Sequence, residues 1–478
     1  MDITLLKNDR TINQIRMSAR DTDCKVYLIG GVLRDIILNN DLSDYDFLVF
    51  GNIDLLTAEL EKRLDRPRII IGGADKEVIR FVKEGVTYDF TRAKAETIED
   101  DVHLRDFTIN TLAYSLEDDE VIDIIGAIDD IKAGIIRIPS DTSFDDDPLR
   151  MLRAFRFMAT LRFKIDDKTL PLIKQKKDLI KKIAGERIRE ELFKILSEEN
   201  SYDTILKMAD SGILYSIFPE LTDSIDCAQN DYHHLDVMEH TLIAYKHFEE
   251  IMADLGKYFP KVIRELREYL IEKPLIAKLK YALLLHDVAK PATKSSGDDG
   301  RIHFYRHAEL GEEMAKKIND RLRLSNSDSA FICAVIRQHL RIVPFFKMMD
   351  EGTLNDKSII RYFMRTSSVG LFVILHNLAD LMASRGIKRA SEDEIKKVID
   401  LSNTMLDVYF NEYLMRKRNP PLITGKDLIS EFGLTPSPIF SVILDSVYAK
   451  QMSGEITTKE EAREMVKGLI HTQIVGSS

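Results

Sequence analysis

Gly30-Gly31 and, after a short gap, Asp44-Tyr45-Asp46 have the residue types and spacing of a site for phosphate chemistry. On a β-strand, positions i and i+2 point to one face with their Cα atoms about 7 Å apart. Asp44 and Asp46 could therefore share divalent cations and hold a triphosphate for in-line attack. Gly30-Gly31 lets the backbone approach a phosphate closely, and Arg34 stands where that phosphate needs a counter-charge. Taken singly, a Gly-Gly pair is a turn and Asp-x-Asp a solvated loop. Their order carries the reading: Lys25-Val-Tyr-Leu-Ile29 predicts a buried strand, residues 32–38 a short helix, and Phe47-Leu-Val-Phe50 a second strand that bears the acids.

Two further constellations follow. In Leu104-Arg105-Asp106-Phe-Thr-Ile-Asn110-Thr111 the pattern predicts a helix start. Asp106 there caps or accepts from a sugar hydroxyl, Arg105 reaches phosphate, and Asn110 shares the face of Asp106. In Asp146-Asp147-Pro148-Leu149-Arg150-Met-Leu-Arg153-Ala-Phe-Arg156, Asp147 reads as the cap of a helix whose first residue is Pro148. Leu149, Leu152, Phe155 and Ala159 form its apolar face, while arginines at every third position form a slowly drifting stripe.

The second half carries a different signal. Nine of the eleven histidines fall between His233 and His376. They include His234 and His240, the adjacent pair His286-Asp287, then His303, His307 and His339, with Asp380 following in Leu378-Ala-Asp380-Leu. An adjacent His-Asp pair on an apolar helix is a more specific metal signal than a lone histidine, which is usually structural.

The elements that must position these residues divide the chain. Residues 1 to about 137 alternate short strands (26–29, 45–50, 68–71, 78–82, 86–91 and 121–125) with helices, as in an α/β module with a mixed sheet. From about 148 onward helical periodicity takes over. At 478 residues, 44% hydrophobic and 31% charged, the chain is globular and long enough for about three or more domains of roughly 150 residues. Its start lacks a long apolar region, and no later run is expected to reach the roughly 18 apolar residues of a membrane span. The expectation is a cytoplasmic protein with no membrane partner. Cys24, Cys227 and Cys333 are scattered, which suits a reducing compartment and offers no zinc or disulfide framework. The net charge is −11, yet residues 148–194 hold 14 Lys and Arg against 6 Asp and Glu, a local excess of +8 that suits a phosphate-rich ligand.

On these motifs the sequence resembles the bacterial class II tRNA nucleotidyltransferase and poly(A) polymerase family, which builds or repairs the CCA end of tRNA. The resemblance runs in order through Gly30-Gly31-x-x-Arg34-Asp35, Asp44-x-Asp46, Arg105-Asp106-Phe-Thr-Ile-Asn110, Asp146-Asp147-Pro-Leu-Arg150 and Glu186-Arg187-Ile-Arg-Glu-Glu191-Leu192. It implies an α+β protein: an N-terminal mixed-sheet nucleotidyltransferase head with a polymerase-beta-like palm, followed by an elongated all-α body that includes an HD-type helical domain. The expected divisions are a head at 1–137, a neck with the nucleotide-selecting and RNA-binding region at 138–230, an HD-type phosphohydrolase domain at 231–390 and a tRNA-binding tail at 391–478. By the same resemblance Asp44 and Asp46 would bind Mg2+ and catalyse, Gly31, Arg34 and Arg105 would contact the nucleotide, and Asp147, Arg150, Arg153 and Arg156 would complete its pocket. The family's acid pair begins with Glu, where this chain has Asp146. In the second half His240, His286, Asp287 and Asp380 would ligate a metal, with His307 and His339 serving a second ion.

The implied reaction adds CMP and AMP from CTP and ATP to the 3′ end of tRNA without a template. A carboxylate accepts from an exocyclic amine and a guanidinium donates to a ring nitrogen, which matches the Watson-Crick edges of cytosine and adenine through Asp147 and Arg150. Uracil and guanine present the opposite polarity and would lose both bonds. Asp89 is a candidate third carboxylate, although an edge-strand acid accounts for it equally. Only residues 92–104 separate the preceding strand from the Arg105 motif, a short connector resembling members that add the two cytidines alone. Other readings are a bacterial poly(A) polymerase, an HD phosphohydrolase with an inactive head and a noncatalytic RNA-binding scaffold. In the tail, Ile423-Thr-Gly425-Lys426 could touch a tRNA backbone or simply be capped by Thr424, and Ser437 stands where the family tends to have Gly between Pro436 and Pro438. The sequence leaves the oligomeric state open.

Overall fold

The computed structural model describes residues 3–42, 44–73, 77–229, 235–271, 273–297, 301–384 and 392–475. Ser43, His233, His234 and part of the glycine-rich loop before Arg301 lie outside them. Contacts divide the chain into two compact units, residues 1–195 with 206–217, and residues 196–205 with 218–478.

The first unit is built on strands β1 (Lys25–Ile29), β2 (Asp44–Phe50), β3 (Ile69–Ile71), β4 (Val78–Lys83), β5 (Val86–Arg92), β6 (Ala113–Ser115) and β7 (Val121–Ile122). They form one mixed sheet in the order β3-β4-β5-β2-β1-β6-β7. The β2–β5 pair is parallel and the others are antiparallel. Strand alternation sorts the side chains of β2 and β5. Tyr45, Phe47, Tyr88 and Phe90 are buried, with Phe47 stacked on Phe90 at 4.8 Å and Tyr45 on Tyr88 at 5.3 Å. Helices Arg10–Asp21 and Ile53–Leu64 pack on each other and on the sheet. The opposite face is left with Asp44, Asp46 and Asp89. The expected strands are all present within a few residues. β6 was not expected, because three fully buried residues show no alternation to read.

Between β1 and β2 the chain turns at Gly30, whose φ of +75° is a left-handed conformation that favours glycine, and enters helix Gly31–Leu38. Helix Leu149–Leu161 buries Leu149, Leu152, Phe155 and Ala159 as expected. It starts one residue later than expected, since Pro148 precedes it and Asp147 accepts from the backbone N–H of Leu149 at 3.1 Å. The stretch around Asp106 is a single 3-10 turn, Thr108–Asn110, rather than the start of an α-helix.

Among its described residues the second unit is helical apart from the small hairpin Lys294–Ser296 and Ile302–Phe304 and an isolated bridge between Ala228 and Asp236. Residues 196–205 are anchored to it by a buried charged cluster. The Lys280 ammonium meets Glu249 at 2.5 Å and Ser201 Oγ at 3.1 Å, and Glu249 also accepts the backbone N–H groups of Ser201 and Tyr202. Removing one partner of such a pair strands the other charge in the interior. Lys280→Met is therefore expected to cost about 3–5 kcal/mol in a urea melt, and adding Glu249→Gln should restore part of that loss. At the C-terminal end Ile423, Leu428, Ile443, Val447, Ala462 and Val466 form a separate small core among helices Gly425–Ser430, Pro438–Met452 and Lys459–Val475. Thr424 caps the first of these through a reciprocal pair with Asp427, so the capping reading of that motif holds.

Two helical stretches, Asn326–Asp350 and Asp356–Ser384, are long and apolar enough by composition to cross a bilayer. Neither contains an uninterrupted run of 18 apolar residues, since polar and charged groups are scattered through both. The second stretch has 72% of its apolar window buried in the protein, and between them they carry His339 and Asp380.

Candidate active site and metal centre

In the first unit a cavity of about 490 Å³ is lined by Gly30, Gly31, Arg34, Asp46, Arg105, Asp147, Arg150, Arg153 and Arg156, together with Asp106, Asn110, Leu149, Phe157 and Arg187. Asp44 does not line it. It lies two residues before Asp46 on the same face of β2, bonded to the Thr87 hydroxyl. The parallel register sets Asp46 beside Asp89. β5 lies between β4 and β2, so the edge-strand account of Asp89 is corrected. Asp46 stays open to solvent on its outer side, yet the protein crowded around its carboxyl disfavours charge there and Asp89 adds repulsion, and together they push it up to about 6. Three carboxylates gathered on one face supply the oxygen donors that a hard divalent cation such as Mg2+ takes.

A continuous ionic chain holds the remaining walls. Arg34 bonds Asp35 and, at 2.8 Å, Asn110. Asn110 bonds Asp106 at 2.9 Å, and Asp106 receives both Nε and Nη2 of Arg153 at 2.9 and 2.6 Å. Burial works against charge on Asp106, but Arg153 and Asn110 outweigh it and hold its carboxyl below the usual carboxylate range. Buried Glu191 pairs with Arg156 at 2.7 Å, and the guanidiniums of Arg34, Arg153 and Arg156 lie around the Phe157 ring, that of Arg156 at 4.0 Å. Arg105 is braced by Asp101 at 3.0 Å from helix Ile98–His103.

At the far end Asp147 receives Arg187 at 2.8 Å, while Arg150 donates to the backbone carbonyls of Leu104 and Ser143. Exposed Asp146 ends the preceding short helix and does not line the cavity. The reading from sequence missed Asp101, Arg187 and Phe157. Arg187 stood inside a recognised motif. Asp101 had only its spacing of four from Arg105 as a signal.

The second unit gathers the histidines. His240 Nε2 lies 2.8 Å from Asp380 and 3.7 Å from Asp287. His286 Nε2 lies 3.0 Å from Asp287 and 3.7 Å from Asp380. The other oxygen of Asp287 faces His307 at 3.5 Å and His339 at 4.0 Å. These side chains form two groups compact enough to hold an ion, His240-His286-Asp287-Asp380 and Asp287-His307-His339.

His286, His307 and His339 each set Nδ1 against a backbone carbonyl, at 2.8, 2.7 and 2.7 Å. A carbonyl only accepts, so Nδ1 carries a proton and Nε2 is the ring nitrogen left to face the carboxylates or an ion, the orientation of metal-ligating histidine. The Nε2 atoms of His307 and His339 are only 3.2 Å apart, a contact that a shared cation would relieve. Burial opposes charge on His286, but Asp287 and Asp380 push it up to about 10, while burial and His286 push His339 down to about 4. Buried Asp287 and half-buried Asp380 thus demand positive charge from their surroundings. Asp287, His307, His339 and Asp380 open onto a cavity of about 380 Å³. Sequence reasoning missed two neighbours: Lys290, 2.6 Å from Asp287, and buried His376, whose ring packs 4.9 Å from that of His286.

A mixed sheet that presents acids beside an arginine-lined cavity defines a nucleotidyltransferase head. The comparisons agree with this class. Residues 26–137 match the poly A polymerase head domain, 162–225 the probable RNA and SrmB-binding site of polymerase A, and 237–354 the HD domain. An A-adding tRNA nucleotidyltransferase of Deinococcus radiodurans is 27% identical across 92% of this chain and 94% of its own. A CC-adding tRNA nucleotidyltransferase of Thermus thermophilus is 25% identical across 91% of each. Among solved structures, a CCA-adding enzyme in complex with CTP shares the fold with a TM-score of 0.65 at 24% identity, over 98% of this chain and 99% of that one. The chain thus carries, in order, a poly A polymerase head domain, the probable RNA-binding site of polymerase A and an HD domain.

Proposed function

We propose that the head adds CMP and AMP from CTP and ATP to the 3′ end of tRNA without a template. The observation that carries this reading is that Asp46, the arginines and the Asp147-Arg150 pair, distant in sequence, line one cavity. In this reading Arg34, Arg105 and Arg153 neutralise the triphosphate, and Asp147 and Arg150 read the base edge once they turn from Arg187 and the backbone carbonyls. The terminal hydroxyl forms a bond to the α-phosphorus, the bond to the β-phosphate oxygen breaks, and pyrophosphate leaves. Mg2+ held by Asp44 and Asp46 would supply Lewis-acid activation of the hydroxyl and the phosphate.

The relatives named above differ in product, and addition of the two cytidines alone is the alternative that the connector before Arg105 raises. The short connector before Arg105 is folded into helix Ile98–His103, whose Asp101 clamps Arg105. Incubation of tRNA ending before and after CC with CTP and ATP separates the products, and AMP incorporation after CC would exclude the CC-only reading. Asp147→Ala is expected to lower discrimination of CTP over UTP by about ten- to a hundredfold, since both nucleotides then lose the carboxylate. Unchanged discrimination in competition assays would remove the base-reading role.

We assign residues 1–137 to the transferase head, 138–230 to the selecting neck, 231–390 to the HD domain and 391–478 to a tRNA-contacting tail. The HD residues His240, His286, Asp287 and Asp380, with His307 and His339 for a second ion, suit hydrolysis of a phosphoester by metal-activated water. A cytoplasmic setting suits a tRNA substrate and three buried, unpaired thiols. The intact acids and arginines of the head argue against an HD hydrolase with an inactive head.

A further inference from the structure

Strand register brings a cation of the chain's own to the aspartate face. β4 and β5 pair with Arg80 opposite Asp89, and β5 and β2 pair with Asp89 beside Asp46. Arg80 donates from Nε and Nη2 to the two oxygens of Asp89, each at 2.7 Å, so both oxygens of the third carboxylate are engaged. A paired two-point contact of this kind is stronger and more directional than a single ion pair. Asp89 keeps only 17% of its side chain exposed and Arg80 37%, so bulk water does not fully screen the contact. A divalent cation drawn to Asp46 therefore meets, on the neighbouring strand, a third acid that is already satisfied, and one strand further a fixed positive charge.

We propose that Arg80 is an internal competitor for the metal: it holds Asp89 until divalent cations displace it, and so sets how tightly the aspartate face takes them. Arg80 is thus a positioning residue, acting through Asp89, and the inference rests on the metal-dependent transfer reading above. The competition is electrostatic in origin. Removing the guanidinium deletes a repelling charge and frees two ligand oxygens, so the two effects raise affinity together.

Titration of the full chain with Mn2+, followed by electron paramagnetic resonance, tests this without any turnover. The head component is defined as the binding lost in Asp44→Asn/Asp46→Asn, which separates it from ions taken by the histidine centre. Arg80→Gln is expected to tighten that component roughly tenfold. Arg80→Lys, which keeps the charge without the paired bonds and serves if the glutamine variant is unstable, should fall between the two. Adding Asp89→Asn to Arg80→Gln should abolish most of the gain. Unchanged or weaker binding in Arg80→Gln, or a gain that survives without Asp89, overturns the role of Arg80. If Asp44→Asn/Asp46→Asn removes no Mn2+ at all, the metal reading of the head fails and the Arg80 inference goes with it.

Discussion

Asp44→Asn/Asp46→Asn is expected to lower nucleotide transfer about a thousandfold or more, equivalent to about 4 kcal/mol of transition-state stabilisation, while tRNA binding persists. Both side chains are exposed on the open face of β2, and β2 is held from its other side by buried Tyr45 and Phe47. Asparagine keeps their volume, so the sheet should fold as before. The lost quantity is the negative charge that gathers cations around the reacting phosphate, and the cavity arginines cannot replace it because they supply only counter-charge to the triphosphate. Extension of a 3′-truncated tRNA with labelled CTP measures the first quantity and filter binding the second. Transfer at a tenth of the wild-type rate or more would remove these acids from the mechanism.

The second large effect belongs to the histidine centre. In His286→Ala/Asp287→Ala the bound metal of that centre should disappear, and hydrolysis of bis-p-nitrophenyl phosphate should fall about a hundredfold or more. Among the described residues Asp287 is the one group that faces both candidate ion positions, with His240 and His286 on one oxygen and His307 and His339 on the other. Its loss dismantles both positions at once. Both replaced residues are buried, so Asp287→Asn, which conserves shape, provides a second variant should the double change lower the melting temperature. Elemental analysis of metal content and tRNA extension by the same preparations complete the experiment. Retained metal and hydrolysis would reject the ligand assignment, and lost hydrolysis with intact extension would show that the two chemistries are independent.

The motifs legible in the sequence are those whose geometry is local. Gly30 needs a left-handed backbone just before a helix, and Asp44 and Asp46 share a strand face whatever the strand pairs with. Arg150, Arg153 and Arg156 share a helical stripe by their spacing alone. The histidines could be grouped by type and abundance, but which oxygen of Asp287 faces which ring is a matter of helix packing. The connector before Arg105 was legible by its length, whereas its clamp from Asp101 was not. Apolar length by itself does not mark a membrane span: helix Gly370–Ser384 is apolar, and most of its residues are buried inside the protein.

Residue order by itself determined the mixed-sheet head, the helical body, the acid pair and the candidate ligands, since each follows from backbone periodicity or from side-chain chemistry a few positions apart. Tertiary structure alone decided that Arg80 closes on Asp89, that Arg187 occupies Asp147, and that Arg34, Asn110, Asp106, Arg153 and Glu191 connect around one cavity. Arg80 and Asp89 meet across a strand pair, and Arg187–Asp147, Arg153–Asp106 and Arg34–Asn110 join residues 40, 47 and 76 positions apart, so strand register and helix packing, rather than local propensity, set which charges meet.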